Sequence, residues 1–458
     1  MLFQSQVFLL GFLPVTVALW YGLAERTVAR EWCLLICSLV FYAWWDVRFV
    51  PLLVLQGGLS WLAAEIFQRR GGQPRALLIA AIAANLAVLA FFKYWTFLAQ
   101  TVLAALGMHL PDYSIILPIG ISFFTFEIIS YLVDLGWRGA PHYNFRRFGL
   151  FVAFFPRLIA GPIVRHNEII PQFDLAPLRE GLAERLSQGA TLLVLGLAKK
   201  LFLADALAPL ADAAFRAGVS ETPSLGIAWT GALAFTFQLF LDFSAYSEMA
   251  IGIALMLGLT LPANFAAPYQ SLDLRDFWQR WHMTLSRYFR DYLYFPLGGS
   301  HHGWRTFAVA TLATMGLCGL WHGAGWTFIV WGLLHGLGLI VCRAWARFGV
   351  QLPHVAAWTL TFVFVVAGWV LFRASGFTAA GHMLAGLIGL GGFSGALEKP
   401  ALLASAAAVS LLGPTTQAVV AQWLRPVPAI GALVGLLAAA VVLETGKGQP
   451  VTFIYFQF

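Results

Sequence analysis

The chain has 458 residues, of which 60% are hydrophobic and only 11% charged. Soluble domains carry about 25% charged residues, so this composition cannot cover a soluble surface with polar groups and describes an integral membrane protein. The net charge of +7 would raise nucleic acid as a partner of a soluble chain. Here it is assigned to Lys and Arg gathered in cytoplasmic loops against anionic membrane lipid, and no nucleic-acid partner is expected.

The four cysteines, Cys33, Cys37, Cys318 and Cys342, sit inside apolar stretches with no CxxC pair or His-rich cluster. Neither a disulfide framework nor a zinc site follows from them. The first apolar run, to about Ala24, lacks a basic leader and a small-residue cleavage site, so it reads as a retained span over residues 7–23. Arg26 and Arg30 follow it, and the positive-inside rule then puts them in the cytoplasm and the N-terminus outside.

Further apolar segments follow at residues 32–45, 51–67 and 76–97, with a basic loop carrying Arg69, Arg70 and Arg75 and with Lys93 placed to snorkel. Residues 115–135 hold Glu127 and Asp134. Acids there are costly unless paired or facing a wet cavity, and pairing of Glu127 with a basic residue on a neighbouring helix is preferred. Residues 145–171 are interrupted by Pro156, Arg157, Gly161 and Pro162. That predicts a broken or re-entrant segment, which is tolerated only where protein or a cavity surrounds it. Residues 168–184 read as a polar loop, and 186–203 as an apolar segment carrying Lys199 and Lys200. Residues 227–261 are too long for one span and are expected to form two, parted near Asp242-Phe-Ser-Ala-Tyr-Ser-Glu248. Beyond residue 336 plain apolar segments supply scaffold. The sum is an all-α, polytopic membrane protein of roughly ten to thirteen membrane segments, organised as one domain over residues 1–458.

Residues 273–336 concentrate the unusual chemistry. As one helix, 273–294 places Phe277, Trp281, Leu285, Tyr288 and Tyr292 on one stripe and Asp276, Arg280, Arg287 and Asp291 on another. That is the pattern of an interfacial amphipathic helix. Arg280, Arg287 and Arg290 either anchor this helix or attract an anionic ligand. His282 falls near the junction of the two faces. His322 lies in the apolar run Gly319-Leu-Trp-His-Gly323, echoed by Gly332-Leu-Leu-His-Gly336. Small residues four apart allow close helix approach. An imidazole at such a seam is a functional candidate, suited to acid–base work; the alternative is a buried histidine bonding across helices. The residues alone leave open an acyl or phosphoryl transferase and a proton-coupled transporter, in which His322, Glu127 and Asp242 relay protons.

Several strings in order, Phe41-Tyr-Ala-Trp-Trp45, Leu117-Pro-Ile-Gly-Ile-Ser-Phe123, Leu158-Ile-Ala-Gly-Pro162, Asp242-Phe-Ser-Ala-Tyr-Ser247, Phe277-Trp-Gln-Arg-Trp-His282, Arg290-Asp-Tyr-Leu-Tyr294, Gly319-Leu-Trp-His-Gly323 and the terminal Tyr455-Phe-Gln-Phe458, resemble the membrane-bound O-acyltransferase (MBOAT) family, in particular its bacterial alginate O-acetyltransferase branch. The resemblance implies helices around a central tunnel, His322 as the essential residue deep inside and His282 as the second histidine. It also implies cytoplasmic acetyl-CoA as the donor substrate, a multi-pass place in the inner membrane and a periplasmic acetyltransferase partner. The acceptor would be an exported or envelope polysaccharide such as alginate, cellulose or peptidoglycan. Arg280, Arg287 and Arg290 are then candidates for the coenzyme A phosphates, and no metal is needed for an already activated thioester. A non-catalytic scaffold for a periplasmic acetyltransferase is the remaining alternative.

Overall fold

The computed structural model describes residues 1–108, 115–447, 453 and 454; the Tyr455-Phe-Gln-Phe458 motif lies outside them. Every regular element among the described residues is a helix. Six helices are long and apolar enough to cross a membrane: Val47–Arg69, Arg75–Ala105, Leu225–Met256, Trp326–Phe348, His354–Arg373 and Pro428–Thr445. A bent pair, Pro400–Leu412 and Thr416–Trp423, makes a seventh if it counts as one broken span. The other apolar segments form helices that are shorter, interrupted or, like Gly303–His322, less apolar.

The chain forms two compact units. The first comprises Met1–Val194, Ser247–Pro262 and Gly431–Pro450. Its helix Ile121–Trp137 is buried along nearly its whole length. Glu127 on that helix forms an ion pair with Arg157, both almost fully buried; the sequence predicts such a basic partner but on a neighbouring helix, whereas Arg157 lies in non-helical backbone. Arg157 belongs to the interrupted segment, where the helix Phe145–Ala153 gives way to non-helical backbone through residue 165. Phe154, Phe155, Leu158, Ile159 and Ile163 are all buried there, so protein surrounds the irregular stretch, the setting in which such backbone is tolerated. Gly120 shows why the approach is so close: its φ is +75°, and a Cβ added to it would lie 2.5 Å from the carbonyl oxygen of Leu158.

The second unit comprises Leu195–Tyr246, Ala263–Ile430 and Val451–Phe458. Residues 227–261 do not divide into two spans. A single unbroken helix, Leu225–Met256, runs through the acid-and-serine cluster for 32 residues, about 48 Å at 1.5 Å per residue. The polar cluster does not break it because the charges find partners: Asp242 lies 3.0 Å from the Lys200 ammonium, which also contacts Asp205 at 2.5 Å. The other Asp242 oxygen accepts the backbone N–H of Ile454 at 2.7 Å. Lys200 reaches these acids from a π-turn, Lys200–Ala204, between the helices Leu182–Lys199 and Asp205–Ser220.

The helices Gly303–His322 and Trp326–Trp345 pack along the predicted glycine seam. A Cβ on Gly319 would come within 2.1 Å of the Phe328 carbonyl oxygen, and one on Gly332 within 2.1 Å of that of Met315. The two backbones touch, and no side chain larger than hydrogen fits between them.

Candidate active site

The expected amphipathic helix over residues 273–294 is broken in the middle. Leu274–Arg280 forms one short helix, Met283–Phe289 another, and Arg290–Tyr294 a π-turn. Trp281 and His282 make the elbow, and His282 adopts φ +44°, a left-handed conformation that is uncommon for a side chain other than glycine. The apolar stripe survives the break, with Phe277, Trp281, Leu285 and Tyr288 all buried. The histidine, however, leaves the edge of a helix face and turns fully inward.

Asn264 holds it there. The Asn264 side-chain oxygen lies 3.2 Å from His282 Nδ1 and accepts the Thr284 hydroxyl at 2.9 Å and the Thr284 N–H at 3.3 Å. The Asn264 carbonyl accepts the Met283 N–H at 2.9 Å. An oxygen receiving the Thr284 donors is an acceptor, so His282 Nδ1 carries the proton and the ring's lone pair sits on Nε2. The imidazole lies edge-on to Phe243, with ring centroids 4.7 Å apart at 86°. His282 falls outside the six candidate spans, and burial pushes its pKa down from the usual 6.5 to about 3. It is therefore neutral at physiological pH.

His322 is the last residue of its helix and is 4% exposed. Its ring centroid lies 6.4 Å from that of His282. Trp321 at 5.0 Å, Trp331 at 5.3 Å and Phe372 at 5.4 Å box it in. Two histidines forty positions apart in sequence (322 − 282) are thus neighbours in a largely aromatic enclosure. Low polarity around an imidazole strengthens any charge or hydrogen-bond interaction made inside.

The other predicted residues fall differently. Arg280 donates to Asp276 at 2.7 Å, and Arg290 donates to Asp291 at 2.7 Å while remaining 55% exposed. Arg287 is half-buried on the short helix that follows His282. Arg280 and Arg290 therefore each already have a carboxylate. His335 is fully buried, and its Nδ1 accepts the Trp278 indole N–H at 3.3 Å, the cross-element bond that the sequence offered as its alternative role. Asn264 and Thr284 escaped the sequence reading, although a polar Asn in Leu261-Pro-Ala-Asn-Phe265 was the available signal. Glu127 and Asp242, the acids of the relay alternative, are each held in a buried ion pair.

A helical membrane protein with two buried histidines side by side at a helix end and an elbow defines a class of buried site suited to acid–base chemistry. The family model for MBOAT, the membrane-bound O-acyltransferase family, matches residues 139–381, just over half of the chain and including both histidines. The chain is 43% identical over 410 residues to the probable alginate O-acetylase AlgI of Pseudomonas aeruginosa, with 85% of this chain and 75% of that protein covered. It is 38% identical over 428 residues to the peptidoglycan O-acetyltransferase of Helicobacter pylori, covering 86% and 81%. It is also 32% identical over 242 residues to the teichoic acid D-alanyltransferase of Streptococcus thermophilus, covering 50% and 57%. The chain belongs to the membrane-bound O-acyltransferase family. It is a multi-pass membrane O-acyltransferase.

Proposed function

We propose that this protein is an O-acetyltransferase of the bacterial inner membrane. It takes acetyl from cytoplasmic acetyl-CoA and supplies it for O-acetylation of an exported or envelope polysaccharide, with a periplasmic acetyltransferase completing delivery. The observation that carries this reading is the pairing of His322 with His282 at 6.4 Å in a buried aromatic enclosure. The names of the relatives, alginate O-acetylase and peptidoglycan O-acetyltransferase, support acetyl as the group and a polysaccharide as the acceptor class.

In this reading His322 accepts the proton of an acceptor hydroxyl while that oxygen attacks the thioester carbonyl. The C–O bond forms, the C–S bond breaks, and the proton passes from His322 to the departing thiolate. General-base assistance of this kind contributes typically ~10²–10⁴ in rate. His282, neutral and held by Asn264, orients the acceptor by accepting its hydroxyl at the Nε2 lone pair. Arg280, Arg287 and Arg290 lie on the elbow's two short helices and the turn after them, and the donor's phosphates are assigned to this segment.

The test uses the purified protein in proteoliposomes with acetyl-labelled acetyl-CoA. Label recovered as an alkali-labile ester on an added polysaccharide hydroxyl, or on the cognate periplasmic protein, supports the proposal. Intact acetyl-CoA with no transfer, measured beside a folded and monodisperse sample, contradicts it.

A further inference from the structure

Residues 292–397 contain no aspartate or glutamate, yet they carry Arg305, Arg343, Arg347 and Arg373, the last paired with Asp212. Two of these guanidiniums are arranged with unusual regularity where the first turns of the helix Gly303–His322 meet the last turn of Trp326–Trp345 and the 3-10 turn Ala346–Phe348 after it. Arg343 lies over the Phe307 ring, 4.0 Å from its centroid. Arg347 lies over the Trp304 ring at 4.3 Å. Trp304 and Phe307 are themselves 5.4 Å apart. Each cation therefore rests on an aromatic platform, one helix turn from the next.

A guanidinium stacked on a ring uses its flat face and leaves its N–H edge available. That edge matches the paired oxygens of a phosphate. Neither Arg343 nor Arg347 makes an ion pair among the described residues. A structural role as topological charge would not require both side chains to be laid on rings.

The surroundings select the source of the phosphate. The candidate span Trp326–Phe348 ends at this point, and Trp345 and Phe348 stand 45% and 76% exposed beside the arginines. Exposed aromatics at the end of a span belong in the lipid headgroup layer. Phosphates at that depth are those of phospholipids, and basic clusters there favour anionic ones. We propose that Arg343 and Arg347, held on Phe307 and Trp304, form a binding site for the phosphate of an anionic phospholipid headgroup. This site is separate from the histidine pair and does not depend on the acyl donor.

Native mass spectrometry of the full-length protein in detergent, titrated with equal amounts of phosphatidylglycerol and phosphatidylcholine, tests it. Wild type is expected to retain phosphatidylglycerol about tenfold or more over phosphatidylcholine, in keeping with two basic contacts at a membrane surface. The pair Arg343→Gln and Arg347→Gln loses most of that preference, whereas Arg343→Lys and Arg347→Lys keeps part of it. The melting temperature of each variant reports its folding, and if the glutamine pair fails to fold the lysine pair carries the test through its partial loss. Equal binding of the two lipids by wild type, or full preference in a folded glutamine pair or a folded lysine pair, overturns the proposal. Coenzyme A and inorganic phosphate form a second arm. Displacement of phosphatidylglycerol by either, together with loss of its binding in the glutamine pair, would assign the patch to a soluble phosphate and overturn the lipid site.

Discussion

His282 owes its place to Asn264, eighteen residues earlier in the chain, more than to the helices on either side of it. One side-chain oxygen fixes the ring's tautomer and anchors Thr284 next to it. Removing that acceptor leaves buried donors unsatisfied, which costs about 1–3 kcal/mol. Asn264→Ala is therefore expected to lower kcat by roughly 10–100-fold with little change in KM for the acyl donor, because the ring loses its orientation while the donor's contacts stay. A variant with wild-type kcat would show that the bond does not position the ring.

Folding also holds this imidazole neutral. Its pKa falls from 6.5 to about 3, so the unfolded chain takes up a proton that the folded chain refuses. Stability from this group is complete above about 6.5 and declines as pH falls below it. His282→Asn is expected to flatten that part of the dependence, read as the difference in melting temperature between wild type and variant across pH 5 to 8. An unchanged difference contradicts a buried, neutral His282.

At the scale of elements, the glycine seam and the lysine–aspartate cluster make opposite kinds of claim. Gly319 and Gly332 are needed for what they lack. A methyl group at either meets a carbonyl oxygen at 2.1 Å, so Gly319→Ala forces the two helices apart. Overpacking of this kind costs typically about 1–3 kcal/mol. The expected result is a lower melting temperature and lost activity with both histidines still in place; a variant with wild-type stability would show that the seam yields freely.

Asp242 and Lys200 are needed for each other. Asp242→Leu leaves a buried ammonium with one carboxylate, and breaking a buried pair costs about 3–5 kcal/mol. Adding Lys200→Met is expected to restore most of the lost stability, since well-packed apolar replacements of buried pairs are often neutral. It is also expected to preserve acyl transfer. A stable double variant with no turnover would instead give the acid a chemical role.

Across the whole molecule, the parts legible in the sequence are those whose cause is local. Composition declares the membrane, Pro156, Arg157, Gly161 and Pro162 mark the broken segment, and glycines four apart mark the seam. Glu127 had to find a cation, and Arg157 is that cation. Two features were not legible because their causes lie far away in sequence. The elbow at His282 interrupts flawless helical spacing with no glycine or proline, and its support comes from Asn264. The cluster at Asp242 looks like a helix break until Lys200, forty-two positions earlier (242 − 200), supplies the counter-charge. Of the site itself, both histidines were readable. The Asp276–Arg280 pair was legible from its four-residue spacing, whereas the preference of Arg290 for Asp291 became visible only once the side chains were placed.

The central claim is that His322 carries the proton transfer beside a neutral His282. The direct measurement compares single-turnover transfer from labelled acetyl-CoA in proteoliposomes of wild type and His322→Ala, with melting temperature and membrane insertion matched. The account predicts a loss of roughly 10²–10⁴ in rate with donor binding retained. Transfer by His322→Ala at close to the wild-type rate would contradict it.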